Sequence, residues 1–181
     1  MKLWLVRHAR PLIDAGICYG ATDVPADAEH TQATATQLAP LLPAGLTVWT
    51  SPLQRCSALA DQLIALRPDL RLRTDARLVE LDFGCWEGQR WDTIPRAAYD
   101  DWTASFGAAR FGGRESVNEL LHRVAAARAE AQALGQDAVW VTHAGVLRAL
   151  ALLEQGLTTL DQAPQWPQSV AAWGEWQLQS W

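Results

Sequence analysis

Two apolar runs in this chain end at a histidine. Leu5-Val6-Arg7-His8 lies near the start, and Val141-Thr142-His143-Ala144-Gly145 lies near the end. An imidazole can attack, accept a proton or donate one near neutral pH. A guanidinium grips oxyanions through a planar fork of donors. Leu3, Trp4, Leu5 and Val6 read as a buried strand running from Lys2 to Val6, and Ala138 to Val141 reads as a second. Ligands of an open α/β sheet bind beyond the carboxyl ends of its strands. If the two strands are parallel neighbours, two imidazoles and a guanidinium share one cleft.

Three further fragments carry polar groups of the same kind. Ser51-Pro52-Leu53-Gln54-Arg55-Cys56 puts Arg55 in the first turn of a helix. Leu78-Val79-Glu80-Leu81-Asp82-Phe83-Gly84 and Trp86-Glu87-Gly88 put carboxylates in an irregular loop, and Tyr19-Gly20-Ala21-Thr22-Asp23-Val24-Pro25 follows His8. Taken singly, each has a plainer reading. Arg7-His8 alone is a surface turn, His143 a hydrogen-bonded structural histidine, Arg55 a helix-surface charge and Glu80 a solvated carboxylate. His30 and His122 read as structural, as does Asp82.

The elements that position these groups alternate strand and helix, which implies an α/β layer structure. Asp27 caps a helix running to about Leu42, with Ala33, Leu38, Leu41 and Leu42 inward. Leu46 to Thr50 is a strand, and Ser51-Pro52 opens the next helix as cap then proline, with Leu53, Leu59, Leu63 and Leu66 along it. Leu70 to Arg73 is a short strand. A poor helix reaches about Phe106 before Phe111-Gly112-Gly113 breaks the chain. Glu115 to Leu134 is the clearest amphipathic helix, with Val117, Leu120, Leu121 and Val124 at helical spacing. The strand ending at His143, a helix from Gly145 to about Glu154 and an edge strand within 170–178 complete the order.

The composition bounds the rest. The chain has 181 residues, is 49% hydrophobic and 19% charged, and carries a net charge of −5. That suits one globular domain over 1–181 and argues against a nucleic-acid binder, which needs a basic face. Cys18, Cys56 and Cys85 are odd in number and widely spaced, so neither a disulfide framework nor a zinc site is expected. No charged start with an apolar stretch precedes the first strand and no apolar run reaches 18 residues, so the reading is cytoplasmic, without membrane span. Of the ten tryptophans, Trp4, Trp49 and Trp140 read as core, while Trp166, Trp173, Trp176 and Trp181 cluster at the end. A packed core or a partner surface is their expected use, with an aromatic ligand platform as the alternative.

Taken in order, the five fragments resemble the histidine phosphatase superfamily, the group that contains cofactor-dependent phosphoglycerate mutases. The resemblance covers residues 3 to about 150. The short length and the Tyr19–Pro25 string are most similar to α-ribazole phosphatases of cobalamin biosynthesis. It implies a three-layer, phosphoglycerate mutase-like α/β fold with a mostly parallel sheet. It also implies a metal-independent phosphomonoesterase of a small phosphorylated metabolite, without cofactor. His8 would form a phosphohistidine, Arg7 and Arg55 would hold the phosphoryl group, His143 would donate to it, and Glu80 would be the acid, with Glu87 a rival. Arg7, Arg55, His143, Ala144, Tyr19 and Gly20 would line the substrate site. Family alternatives are a mutase and a protein-phosphohistidine phosphatase; outside the class stands a phosphate-binding scaffold that does no chemistry.

The sequence also departs from the family pattern. Ala9 stands where glycine follows the nucleophile, so the turn there is expected to shift. Arg10 and Pro11 replace acidic and hydroxyl residues, and Arg10 either adds charge to the pocket or faces water. Asp14 is nearest by spacing to the family asparagine, but an ionised carboxylate would repel phosphate. Gly112-Gly113-Arg114-Glu115-Ser116 carries one inserted residue, with Glu115 or Ser116 as a helix cap. Ala144 follows His143 where glycine is common.

Overall fold

A computed structural model describes residues 1–180. Five strands form one sheet in the order β3-β2-β4-β1-β5. These are β1 (Lys2–Arg7), β2 (Thr47–Thr50), β3 (Arg71–Thr74), β4 (Ala138–Thr142) and β5 (Trp176–Ser180). The first four are parallel, and β5 runs antiparallel along the edge of β1. The edge strand thus sits at 176–180 rather than within 170–178. Trp181 lies outside the described residues.

Side chains alternate across the strands and build one core on each face of the sheet. Leu3, Leu5, Trp49, Ala138 and Trp140 face α4 (Val117–Ala133) and α5 (Ala144–Glu154). Trp4, Val6, Val48, Val139 and Val141 face α1 (Ala28–Leu38) and α2 (Gln54–Leu66). The fold is therefore three layers, as the family resemblance implied. Trp4, Trp49 and Trp140 are all buried. No helix among the described residues is long and apolar enough to cross a membrane.

Several boundaries differ from the expectation for local reasons. Asp27 does cap α1, accepting from the His30 N–H at 2.9 Å. The helix stops at Leu38 and tightens into a 3₁₀ turn over Ala39–Leu41 at Pro40. Thr31, Thr34, Ala35 and Leu38 face inward, while Ala33 and Leu41 face solvent. Leu66 is likewise exposed at the end of α2. Helix α2 starts at Gln54, not at Pro52, and its cap comes from afar: Asp23 accepts the Gln54 N–H at 2.7 Å. Ser51 is left for other work. Ser116, rather than Glu115, caps α4 in a reciprocal capping box with Glu119. The poor helix is α3 (Arg96–Ala104), in a segment whose rings gather on Phe111.

Candidate active site

Strands β1 and β4 are parallel neighbours with Arg7 opposite Thr142. Their carboxyl ends stay bonded one step further, His8 N–H donating to the Thr142 carbonyl at 3.0 Å. Ser51, beyond β2, donates its N–H to the Val141 carbonyl at 3.1 Å. The sheet therefore delivers Arg7, His8, Ser51 and His143 to one place. The rings of His8 and His143 lie 5.1 Å apart between centroids.

His8 is buried, and its Nδ1 lies 2.7 Å from the Ala9 carbonyl oxygen. A carbonyl only accepts, so Nδ1 carries the hydrogen and Nε2 keeps the lone pair. Burial lowers the His8 pKa to about 3, and the positive charges of Arg55 and Arg7 push the same way. The ring is neutral at physiological pH, with Nε2 nucleophilic. Ala9 does this without the glycine-like turn its position suggested: no non-glycine residue among those described has positive φ.

Arg55 is fully buried in the first turn of α2. Its guanidinium donates to the Gly20 carbonyl at 2.6 Å, the Thr22 carbonyl at 2.8 Å and His143 Nδ1 at 3.2 Å. It thus ties the Tyr19–Pro25 loop to the second histidine. Gly20 must be glycine here, because a Cβ would stand 1.9 Å from the Leu81 carbonyl. The Arg55 guanidinium lies 5.4 Å from the Tyr19 ring centroid, and that of Arg7 lies 5.4 Å from the Trp173 ring centroid. Arg7 donates one hydrogen to the Ala171 carbonyl at 3.0 Å. Its Nε is buried with no acceptor among the described residues, a donor that an anionic oxygen would satisfy.

Glu80 lies beside the first turn of α5. Its oxygens accept the Leu81 N–H at 2.9 Å and the Gly145 N–H at 3.0 Å. A Cβ on Gly145 would lie 2.0 Å from the Glu80 carboxylate, so α5 can start there only with glycine. Arg123 of α4 holds the Glu80 segment from behind, donating to the carbonyls of Arg77, Val79 and Glu80 while paired with Glu115. Glu87 is occupied differently. Its carboxylate accepts from the N–H groups of Ala21, Thr22 and Phe83 and from the Thr22 hydroxyl, stapling two loops together. Ala144 opens α5 directly after His143 and is buried.

Arg10 pairs with Asp27 at 2.5 Å and lines the cleft beside Tyr19 and Trp173 rather than meeting His8. Asp14 lines an apolar cleft of about 430 Å³ with Ile13, Ile17, Tyr19, Trp91 and Trp173. Among the tail tryptophans, Trp173 covers a pocket arginine rather than packing in the core. Sequence reasoning missed Ser51, Arg123, Gly145 and Arg148, and had Trp173 at a ligand site only as the alternative reading. Arg148 is half-buried on α5 and lines a small cavity with Glu80, Phe83 and Trp166. Only Gly145, a glycine just inside a helix start, left a local trace.

The family model described as histidine phosphatase superfamily, branch 1, matches residues 3–180. No curated protein matches the chain in sequence. Solved structures do. The Thermus thermophilus protein TTHB049 is 30% identical, with 100% of this chain and 94% of that one covered and a TM-score of 0.72. A mycobacterial glucosyl-3-phosphoglycerate phosphatase is 25% identical over 86% of this chain and 80% of its own, with a TM-score of 0.75. A putative alpha-ribazole-5'-P phosphatase from Escherichia coli K-12 shares the fold, with 24% identity, 98% and 89% coverage and a TM-score of 0.77.

Proposed function

The chain belongs to the histidine phosphatase superfamily, and from that membership we propose that it hydrolyses a small phosphomonoester through a phosphohistidine on His8. The observation that carries the reading is the His8 ring: neutral, tautomer set by the Ala9 carbonyl, and within the field of the Arg55 and Arg7 charges. Nε2 attacks phosphorus and the bond to the leaving oxygen breaks. Arg7 and Arg55 stabilise the charge on the equatorial oxygens. Glu80 gives its proton to the departing oxygen, then takes one from the water that cleaves the phosphohistidine. The phosphate leaves and His8 returns to its starting state. The single domain over 1–181 would work in the cytoplasm and need no metal.

The substrate class follows from the cleft behind Tyr19 and Trp173. Its walls are mostly apolar and aromatic, and its two charged side chains are already answered, Arg10 by Asp27 and Asp14 by the nearby Arg90 charge. That suits a ring-bearing, uncharged organic group better than the carboxylate of a phosphoglycerate. It agrees with the Tyr19–Pro25 similarity to α-ribazole phosphatases, and α-ribazole 5'-phosphate is the substrate to try first. Hydrolysis of that ester, 3-phosphoglycerate and nucleotides would be measured with chelator present. Expected is turnover without metal and at least about a tenfold preference in kcat/KM for the ring-bearing ester, worth roughly 1.4 kcal/mol. Activity that vanishes with chelator and returns with Mg²⁺ or Zn²⁺ would refute the metal-independent mechanism.

Substituting the acid should depend on the leaving group. Glu80→Gln should slow alkyl phosphates roughly 10²- to 10⁴-fold and aryl phosphates with good leaving groups far less. Gly145→Ala should copy this pattern, because its Cβ would displace the Glu80 carboxylate. Glu87→Gln should weaken both substrates alike through its loops. Equal losses with Glu80→Gln on both esters would make Glu80 structural.

A further inference from the structure

His143 is not arranged as a ready donor to a phosphoryl group. Its Nδ1 faces Arg55 Nε at 3.2 Å and its Nε2 faces Ser51 Oγ at 2.9 Å. The Arg55 Nε–H can only donate, so Nδ1 accepts and bears no hydrogen. Burial keeps the ring neutral, and the charges of Arg55, His8, Arg123 and Arg7 act in the same sense. A neutral imidazole has one N–H, which must sit on Nε2 and donate to Ser51. Ser51 is itself fully buried and also accepts the Leu53 N–H at 3.3 Å. The neighbouring Cys56 sulfur lies 3.4 Å from Nε2, and burial keeps its thiol protonated. Among the described residues the Ser51 hydroxyl is the one strong acceptor at Nε2.

We propose that Ser51 is a positioning residue that holds His143 in the proton state that Arg55 selects. It holds the Nε2–H form in the unliganded enzyme. It goes on accepting that hydrogen when Nδ1 takes a second proton to meet the phosphoryl group. The inference rests on the reading of the pocket as a phosphoryl site. A phosphate monoester loses its second proton near pH 6, so part of it arrives as a monoanion. That proton moves from a phosphoryl oxygen to Nδ1: the P–O–H bond breaks, the N–H bond forms, and a dianion faces an imidazolium. Arg55 Nε–H is displaced from Nδ1 and turns to a phosphoryl oxygen. The negative charge of the ligand offsets the cations that otherwise forbid a charged ring.

The test is ¹⁵N NMR of histidine-labelled protein at pH 7, with and without saturating inorganic phosphate. The chain has four histidines, and the His143 signals are assigned by their loss in His143→Gln. The unliganded wild type should show a protonated Nε2 and a bare Nδ1, and the phosphate complex should show both protonated. Ser51→Ala should keep the Nε2–H tautomer that Arg55 fixes but shift its Nε2 signal as the hydrogen bond is lost, leave Nδ1 bare in the presence of phosphate and bind phosphate about tenfold more weakly, equivalent to roughly 1.4 kcal/mol. Ser51→Thr, which keeps the hydroxyl, should restore the wild-type spectra and binding. If Ser51→Ala fails to fold, Ser51→Cys offers a weaker acceptor for the same comparison. An Nδ1–H form in the unliganded wild type, or unchanged spectra in Ser51→Ala, overturns the proposal. If phosphate does not bind, the phosphoryl-site reading fails, and the unliganded spectra alone decide for or against Ser51.

Discussion

His8→Ala is expected to abolish turnover, lowering it by roughly 10⁴- to 10⁶-fold, the scale seen when a covalent nucleophile is removed. Rapid quenching under alkaline conditions, which spare an acid-labile phosphoramidate, should trap label on the His8 peptide of the wild type. No label should form on the variant. The expectation follows from the bare Nε2 lone pair on a ring whose pKa is held near 3. His143 is not expected to replace it, because Ser51 holds its Nε2–H and its Nδ1, freed from Arg55, takes up a proton when the phosphoryl group binds. Substantial turnover by His8→Ala, or label on His143, would leave water-mediated hydrolysis in a cationic pocket. The same geometry carries a pH dependence. The folded pKa of His8 lies below the unfolded value near 6.5, so neutral His8 costs the fold nothing above pH 6.5. Below that, the unfolded chain takes up the proton first, and stability falls by about 1.4 kcal/mol per pH unit toward pH 3. His143, shifted in the same direction, adds to the loss.

Arg55→Ala is expected to fail on two counts, whereas Arg7→Ala fails on one. Arg55 is fully buried, and its removal strands the Gly20 and Thr22 carbonyls and His143 Nδ1. Breaking such a buried charged network costs about 3–5 kcal/mol, or about 10 °C in Tm for a chain of this size. Loss of a phosphoryl clamp should take a further 10²- to 10³-fold from kcat. Lysine would keep a charge but not the fork that reaches three acceptors. Arg7 gives one hydrogen to Ala171 and has a buried Nε without acceptor, so its replacement should cut activity with little change in Tm. Thermal unfolding and steady-state kinetics on both variants separate the two roles. An Arg55→Ala protein of wild-type stability would mean that the loop carbonyls find other donors.

The two carboxylates Glu80 and Glu87 show where reading the chain stopped. They lie seven residues apart in one irregular segment, and nothing local separates them. In three dimensions Glu87 is saturated by Ala21, Thr22 and Phe83, while Glu80 faces the first turn of α5 at Gly145. Ser51 shows the same limit. A serine before a proline reads as a helix cap, yet Asp23 caps α2 and Ser51 meets His143, 92 residues away. Trp173 belonged by composition to a packed or partner surface, but lies over Arg7 because the tail returns along β1 to pair β5 with it.

What the chain determined by itself was whatever depends on near neighbours. Continuous apolar runs made β1 and β4 buried strands, and helical spacing in Val117, Leu120, Leu121 and Val124 made α4. Arg7, His8 and His143 were thereby placed at strand ends that meet if β1 and β4 are parallel neighbours, and that pairing itself came with the tertiary structure. The tertiary structure alone decided proton states and pairings. Which nitrogen of each histidine holds hydrogen, which carboxylate meets α5 and which arginine is buried all depend on partners tens of residues away. Burial and hydrogen-bond donors arrive there only when the layers close, and a local sequence pattern carries no record of them.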